Sequence, residues 1–184
     1  MPMVKLPLRL EHALLGFVRS APMHAYEIHA RLMASAELGL VWRMKQSQLY
    51  ALLTRLEAAG YLAGTTELQG SRPPRRPLTL TPVGEAAFVR WLATPVANGR
   101  DFRQEFLAKL YFAQRDGQPA VAELVTAQRR ATELLLDEQR AALDALLPGR
   151  AYERLVVQYR VGQIEATLRW LELCLVPPPA LAHQ

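Results

Sequence analysis

The segment from Trp42 to Gly84, WRMKQSQLYALLTRLEAAGYLAGTTELQGSRPPRRPLTLTPVG, constrains the fold more than any other stretch of the chain. Leu49, Leu53 and Leu56 recur at helical spacing, with Leu52 beside them, which predicts an amphipathic helix. Ser47 is the expected N-cap, and Gly60 the expected stop, because glycine accepts the positive φ that helix C-termini often adopt. The opposite face carries Gln48, Ala51, Thr54 and Arg55, with Tyr50 near its edge. These groups are small or hydrogen-bonding, whereas a helix face meant only for solvent usually carries more Lys and Glu. Tyr61–Leu68 and Leu78–Leu80 have the apolar and β-branched content of two paired strands. Between them lie Arg72, Arg75 and Arg76, three guanidiniums without a carboxylate beside them in sequence. Phosphate suits such groups, because the planar fork of arginine donates two hydrogen bonds to phosphate oxygens. The interspersed prolines stiffen the loop and reduce the entropy lost when it docks. A helix followed by a basic hairpin is the layout of a recognition helix with a β-wing.

The flanking segments complete that layout. Leu10, Ala13, Leu14 and Phe17 make a helical stripe that ends near Pro22. A second helix is expected from about Ala25, with Tyr26, His29, Leu32 and Met33 as its periodic positions, followed by a short extended link at Leu40-Val41-Trp42. Thr81-Pro82 places an N-cap residue before a proline at the first helical position, so a further helix is expected from Pro82 to about Ala93. The sum is a winged helix-turn-helix: three helices, a two-stranded wing and a closing helix.

Charge divides the chain in two. Residues 1–99 carry eleven basic and six acidic side chains, and residues 100–184 carry eleven of each, so the whole excess of +5 sits in the first half. A basic half beside a neutral one is the outline of a nucleic-acid module joined to an assembly module. Thr94–Gly99 is the expected boundary, giving a DNA-binding domain over 1–94 and a helical dimerisation domain over 95–184. In the second half, Phe102, Phe106, Leu110 and Tyr111 pattern a helix over Asp101–Gln114, and Asp116–Pro119 reads as a turn. A long helix is expected over Pro119–Leu147 and another over Ala151–Val176, before Pro177, Pro178 and Pro179 forbid continuation and leave a disordered tail. Leu124, Ala131, Leu135, Leu143 and Leu146 form one stripe; Leu155, Tyr159, Leu168, Leu171 and Leu175 form another. These faces exceed what three helices can hide among themselves, so a second copy of the chain is the expected cover. A two-fold dimer presents identical helices to successive major-groove turns, about 34 Å apart, and reads an inverted repeat.

PMHAYEIHARL, QSQLYALLTRLEAAGYL and LTLTPVGEAAF together resemble the PadR family of bacterial transcription regulators. EFLAKLYFA and the two long helices, with Trp170 in the last, look like the larger C-terminal dimerisation domain of one branch of that family. The resemblance implies a mainly α, dimeric winged-helix repressor of a nearby promoter, relieved in many members by a small aromatic or lipophilic effector. Two departures stand out: Ala25 follows the signature His24 where the family commonly has Gly, and Arg76-Pro77 precedes Leu78 where a basic and aromatic pair is usual. Pro77 lacks an N–H, so one backbone bond at the wing base is missing.

Gln46, Ser47 and Gln48 are best placed for base edges, since glutamine can bridge adenine N6 and N7. Lys45, Tyr50, Arg55, Arg72, Arg75 and Arg76 suit phosphate and sugar, and His24 and Tyr26 suit bracing or touching the backbone. Phe102, Phe106, Tyr111, Tyr159 and Trp170 are the candidate lining of an effector pocket. The alternative is a winged-helix protein-interaction or RNA-binding module without operator specificity. An enzyme is not expected. His24 and His29 are five residues apart, off the i, i+4 spacing that aligns two metal ligands, and no glycine-rich phosphate loop or nucleophile elbow is present. No cofactor or metal is expected. With a single Cys174, no apolar run near the ~20 residues of a membrane span and charges inside the N-terminal apolar stretch, the expected setting is the cytoplasm.

Overall fold

Residues 10–34, 38–64 and 76–176, which the computed structural model describes, form a mainly α protein with one short hairpin. A 3-10 turn at Leu10–His12 leads into α1 (Ala13–Val18) and α2 (Ala25–Met33). A second 3-10 turn (Leu38–Leu40) precedes α3 (Gln46–Ala58), β1 (Leu62–Gly64), β2 (Leu78–Leu80) and α4 (Pro82–Ala93). A continuous helical run follows, in which α5 (Gly99–Asp101) passes through a π-helical stretch (Phe102–Phe106) into α6 (Leu107–Asp116). Then come α7 (Gln118–Asp144) and α8 (Ala151–Cys174). The N-terminal elements are a winged helix-turn-helix and the C-terminal ones are helical, as the sequence patterning predicts. Arg72, Arg75, the part of the expected first strand after Gly64 and the proline-rich tail lie outside the described residues.

The chain forms two compact units, one holding the described residues up to Thr94 with Arg103–Phe112, the other Pro95–Phe102 with the residues from Ala113 onward. In the first, Leu14, Phe17, Ile28, Leu32, Leu49, Leu53, Leu56, Phe88, Trp91 and Phe112 share one core. Phe112 meets Phe17 and Phe88 edge-on, at centroid distances of 5.6 and 5.4 Å. Such edge-to-face pairs place positive ring edges on negative faces. β1 and β2 pair antiparallel with Leu62 opposite Leu80 and Gly64 opposite Leu78. Leu78 also bridges to Met23, whose N–H donates to Leu78 O at 3.0 Å and whose O accepts from Leu78 N at 2.9 Å. β2 is therefore flanked on both sides, a pairing that no periodicity in the sequence announces.

In the second unit, α7 and α8 run antiparallel, joined by Arg140–Glu165 at 2.8 Å and Arg129–Glu172 at 3.7 Å. The buried residues of α7 are Val121, Leu124, Val125, Gln128, Thr132 and Leu136. Only Leu124 of the expected α7 stripe is fully buried, because the packed face is rotated and admits two polar residues that satisfy each other. On α8 only Leu171 of the expected stripe is buried; Leu155, Tyr159 and Leu175 are exposed. Three local expectations also change. Leu40 closes a 3-10 turn instead of opening an extended link. Tyr26 is exposed while Ile28 joins Leu32 in the core, so α2 packs through a different face. Gln118 and Pro119 begin α7 directly, because Gly117 at φ 105° makes the turn alone.

Candidate nucleic-acid interface

α3, the expected recognition helix, is fixed at both ends by backbone geometry. α3 begins at Gln46, one residue before the expected N-cap Ser47, and Lys45 takes the extended cap conformation (φ −69°, ψ 149°). Lysine has no side-chain acceptor, so the cap works in reverse: Gln48 Oε1 accepts from Lys45 N–H at 3.0 Å. At the other end Gly60 N–H donates to Glu57 O at 2.8 Å and Tyr61 N–H to Leu56 O at 2.9 Å. With Gly60 at φ 74°, this is a Schellman stop. Leu49, Leu53 and Leu56 are buried, which leaves Gln46, Ser47, Gln48, Tyr50, Thr54 and Arg55 facing outward. Thr54 Oγ1 donates to Tyr50 O at 3.0 Å, and Arg55 lies 3.8 Å from Glu11.

The helix before it is held in the same way. His24 N–H donates to Glu27 Oε2 at 2.7 Å, closing the N-terminus of α2. The His24 ring stacks on the exposed Tyr26 ring, 5.5 Å between centroids and 11° between planes. A ring nitrogen of His29 lies 3.3 Å from Met44 O, tying α2 to the residues that launch α3. Arg43 Nε donates to Gly39 O at 2.9 Å. An open cleft of about 510 Å³, lined by Leu10, Glu11, Trp42, Met44, Gln48 and Leu52 among others, runs beside the start of α3. The linear sequence gives no hint of that cleft, since its walls come from separate segments.

Arg76 has a carboxylate partner that the loop sequence does not show. Its guanidinium is bidentate on Glu57, with Nη2 2.7 Å from Oε1 and Nη1 donating to Oε2 at 3.1 Å. The carboxylate comes from α3, nineteen residues earlier in the chain. Pro77 is buried, and it offers no backbone N–H where the chain enters β2. The aromatic candidates fall in different places. Phe102 meets Trp170 edge-on at 5.9 Å, Tyr111 and the fully buried Phe106 belong to the first compact unit, and Tyr159 is exposed with its hydroxyl accepting from Gln163 at 2.6 Å.

Comparison with known proteins matches the two parts of the chain to two families. Residues 14–90 match the transcriptional regulator PadR-like family, and residues 102–176 match the virulence activator alpha C-terminal family. The chain is 26% identical to the negative transcriptional regulator PadR of Bacillus subtilis over 138 residues, 75% of either chain. It is 27% identical over 179 residues to the probable transcriptional regulator Rv1176c of Mycobacterium tuberculosis, covering 89% of this chain and 94% of the other. The crystal structure of B. subtilis PadR in complex with operator DNA superposes with a TM-score of 0.47 at 24% identity, over 92% of this chain and 100% of that one. The chain thus carries a domain of the transcriptional regulator PadR-like family over residues 14–90 and a domain of the virulence activator alpha C-terminal family over residues 102–176.

Proposed function

We propose that the protein is a dimeric, sequence-specific DNA-binding repressor that reads an inverted repeat at a nearby promoter. The observation that carries this is the outward face of α3: Gln46, Ser47, Tyr50, Thr54 and Arg55 stand exposed on a helix whose opposite face is locked into the core. A helix seated this firmly presents its donors and acceptors from fixed backbone positions, which suits base edges and phosphates because the backbone has little entropy left to lose on docking. Gln46, Ser47 and Gln48 read bases in this proposal. Lys45, Tyr50, Arg55, Arg72 and Arg75 hold the backbone, with the His24–Tyr26 stack against the flanking sugar-phosphate. Residues 1–94 bind DNA and residues 95–184 make the dimer. Repression is the sense favoured by the relative in B. subtilis, a negative transcriptional regulator.

The dimer is supported by α8. Tyr152, Tyr159, Ala166 and Leu173 recur every seven residues on one outward face, with Leu155 and Gly162 interleaved. Tyr152, Leu155, Tyr159 and Leu173 are 80%, 64%, 65% and 67% exposed, an apolar seam that a monomer leaves in water. A planar lipophilic effector acting through the aromatic residues, Trp170 included, is the regulatory part of the proposal. Sequencing the DNA retained by the purified protein from its own genome, followed by mobility-shift titration, tests the reading. Recovery of one inverted repeat upholds it; binding of RNA with no preferred duplex sinks it. Trp fluorescence titrated with planar aromatic compounds tests the effector, and an unsaturable response counts against it.

A further inference from the structure

We infer that Arg76 is a positioning residue that fastens the wing base to the recognition helix, and that it is not a phosphate ligand. The inference rests on the DNA-binding reading above and adds to it a division of labour among the wing arginines. Three observations meet at this point. The first is the fork itself, with Arg76 and Glu57 joined through both terminal nitrogens and both carboxylate oxygens at 2.7 and 3.1 Å. The second is Gly64. A Cβ placed there would lie 2.5 Å from Arg76 Cζ, 2.7 Å from Nε and 2.8 Å from Nη2. The guanidinium therefore lies flat over the Gly64 backbone, in the space that any other residue's side chain would fill. The third is topology. Gly64 ends β1, Arg76 precedes β2, Glu57 sits in the last turn of α3, and Gly64 stands opposite Leu78 in the ladder. One side chain thus spans both legs of the hairpin and ends on the helix that the hairpin must accompany.

Charge and geometry argue the same way. Glu57 is the more enclosed partner, its side chain 19% exposed against 54% for Arg76. An isolated surface pair of this kind adds little to stability, but a bidentate fork fixes direction. A guanidinium already neutralised by a carboxylate releases no counterion from DNA, so it adds nothing to the salt dependence of binding. A phosphate would have to displace Glu57 from the fork and leave its carboxylate beside a polyanion. The pair serves to hold the angle at which the wing leaves α3, and an angle is lost whichever partner is removed.

The test is operator affinity across a salt series for wild type, Arg76→Ala, Glu57→Gln, Gly64→Ala and the exchanged pair Glu57→Arg with Arg76→Glu. Gly64→Ala displaces only the mobile end of Arg76, so the chain still folds. The expected result is a similar loss, about tenfold, in each single variant, an unchanged salt slope, and recovery to within about threefold in the exchanged pair. A phosphate ligand gives the opposite: Arg76→Ala lowers the slope by about one, Glu57→Gln binds as well as or better than wild type, and the exchanged pair does not recover. That result, or no effect in any variant, overturns the inference. Amide exchange of β1 and β2 without DNA reads the fastening separately. It should quicken several-fold in Arg76→Ala and Glu57→Gln but not in Arg55→Ala, and equal rates in all of them overturn the inference. If wild type binds no DNA, the functional reading fails while the exchange data still decide whether the pair holds the hairpin.

Discussion

Lys109 Nζ donates to the carbonyl oxygen of Thr94 at 2.6 Å, placing a buried ammonium on the C-terminal end of α4. A cation at this end meets carbonyls that the helix itself cannot satisfy. Glu105, one turn before Lys109, lies 3.1 Å from the same nitrogen, and its Oε1 also accepts from the Trp91 indole at 3.2 Å. The ammonium stands 5.3 Å from the Trp91 ring centroid. Lys109 therefore draws α6 onto α4, within the first compact unit.

Lys109→Met should lower stability by about 3–5 kcal/mol, because it strands the Glu105 carboxylate in a site that is nearly dry. Adding Glu105→Leu to that variant should return part of the loss. Urea denaturation of both proteins checks this, and a single variant as stable as wild type would show that the pair is dispensable.

Gln128 reproduces a strand's hydrogen bonding with its side chain: Val96 N–H donates to its Oε1 at 2.7 Å and its Nε2 donates to Val96 O at 3.0 Å. Gln128→Leu keeps the volume but orphans both backbone groups, at about 1–3 kcal/mol each. Thermal melting should show a clear drop, larger than that of the exposed control Gln163→Leu.

Thr81 Oγ1 accepts from Gly84 N–H at 3.0 Å and donates to Gly60 O at 2.7 Å, joining the start of α4 to the end of α3. Thr81→Ala should cost about 1–2 kcal/mol as a lost cap. Gly84→Ala should cost more, since its Cβ would collide with the Tyr61 carbonyl oxygen, which is backbone and cannot swing aside. Denaturation midpoints in that order, with Gly84→Ala the lower, are the expected outcome.

Leu155→Glu with Leu173→Glu places four carboxylates in the α8 seam of the proposed dimer. Sedimentation should then report a monomer, and operator affinity should fall steeply while helical content stays near wild type. A double variant that remains dimeric would move the interface elsewhere.

Burial raises the pKa of the Cys174 thiol above its ordinary value, and Sγ lies 3.6 Å from Trp170 O on the preceding turn. A raised pKa means less thiolate at a given pH. Alkylation by iodoacetamide should be slow at neutral pH, quicken only at alkaline pH, and run faster in urea at the same pH.

The strongest sequence signals were local ones. The Leu49, Leu53, Leu56 spacing, Gly60 and Thr81-Pro82 each act within one helical turn, and all keep their assigned places. Ser47 was a reasonable N-cap by residue type, yet Gln48 reaches back to Lys45 and starts the helix earlier. Pairings across the fold were not legible. Glu57 and Arg76 sit in different elements, so the loop looked more unpaired in sequence than it is in space. Tyr26 shares a helical period with Leu32, but the partner helix decides which face is covered, and Ile28 takes that place. On α7, Gln128 and Thr132 broke the apolar stripe because their polarity is spent on Val96 and on each other.

The bridge between Met23 and Leu78 has a consequence for how the molecule opens. Met23 is the last residue but one before α2, and Leu78 begins the returning strand of the hairpin. Two reciprocal amides couple a segment near the start of the chain to one more than fifty residues later. Neither can be exposed to deuterium without releasing the other, so both should exchange with one opening free energy, in a shared cooperative unit. The hairpin base and the entry to α2 should then open together.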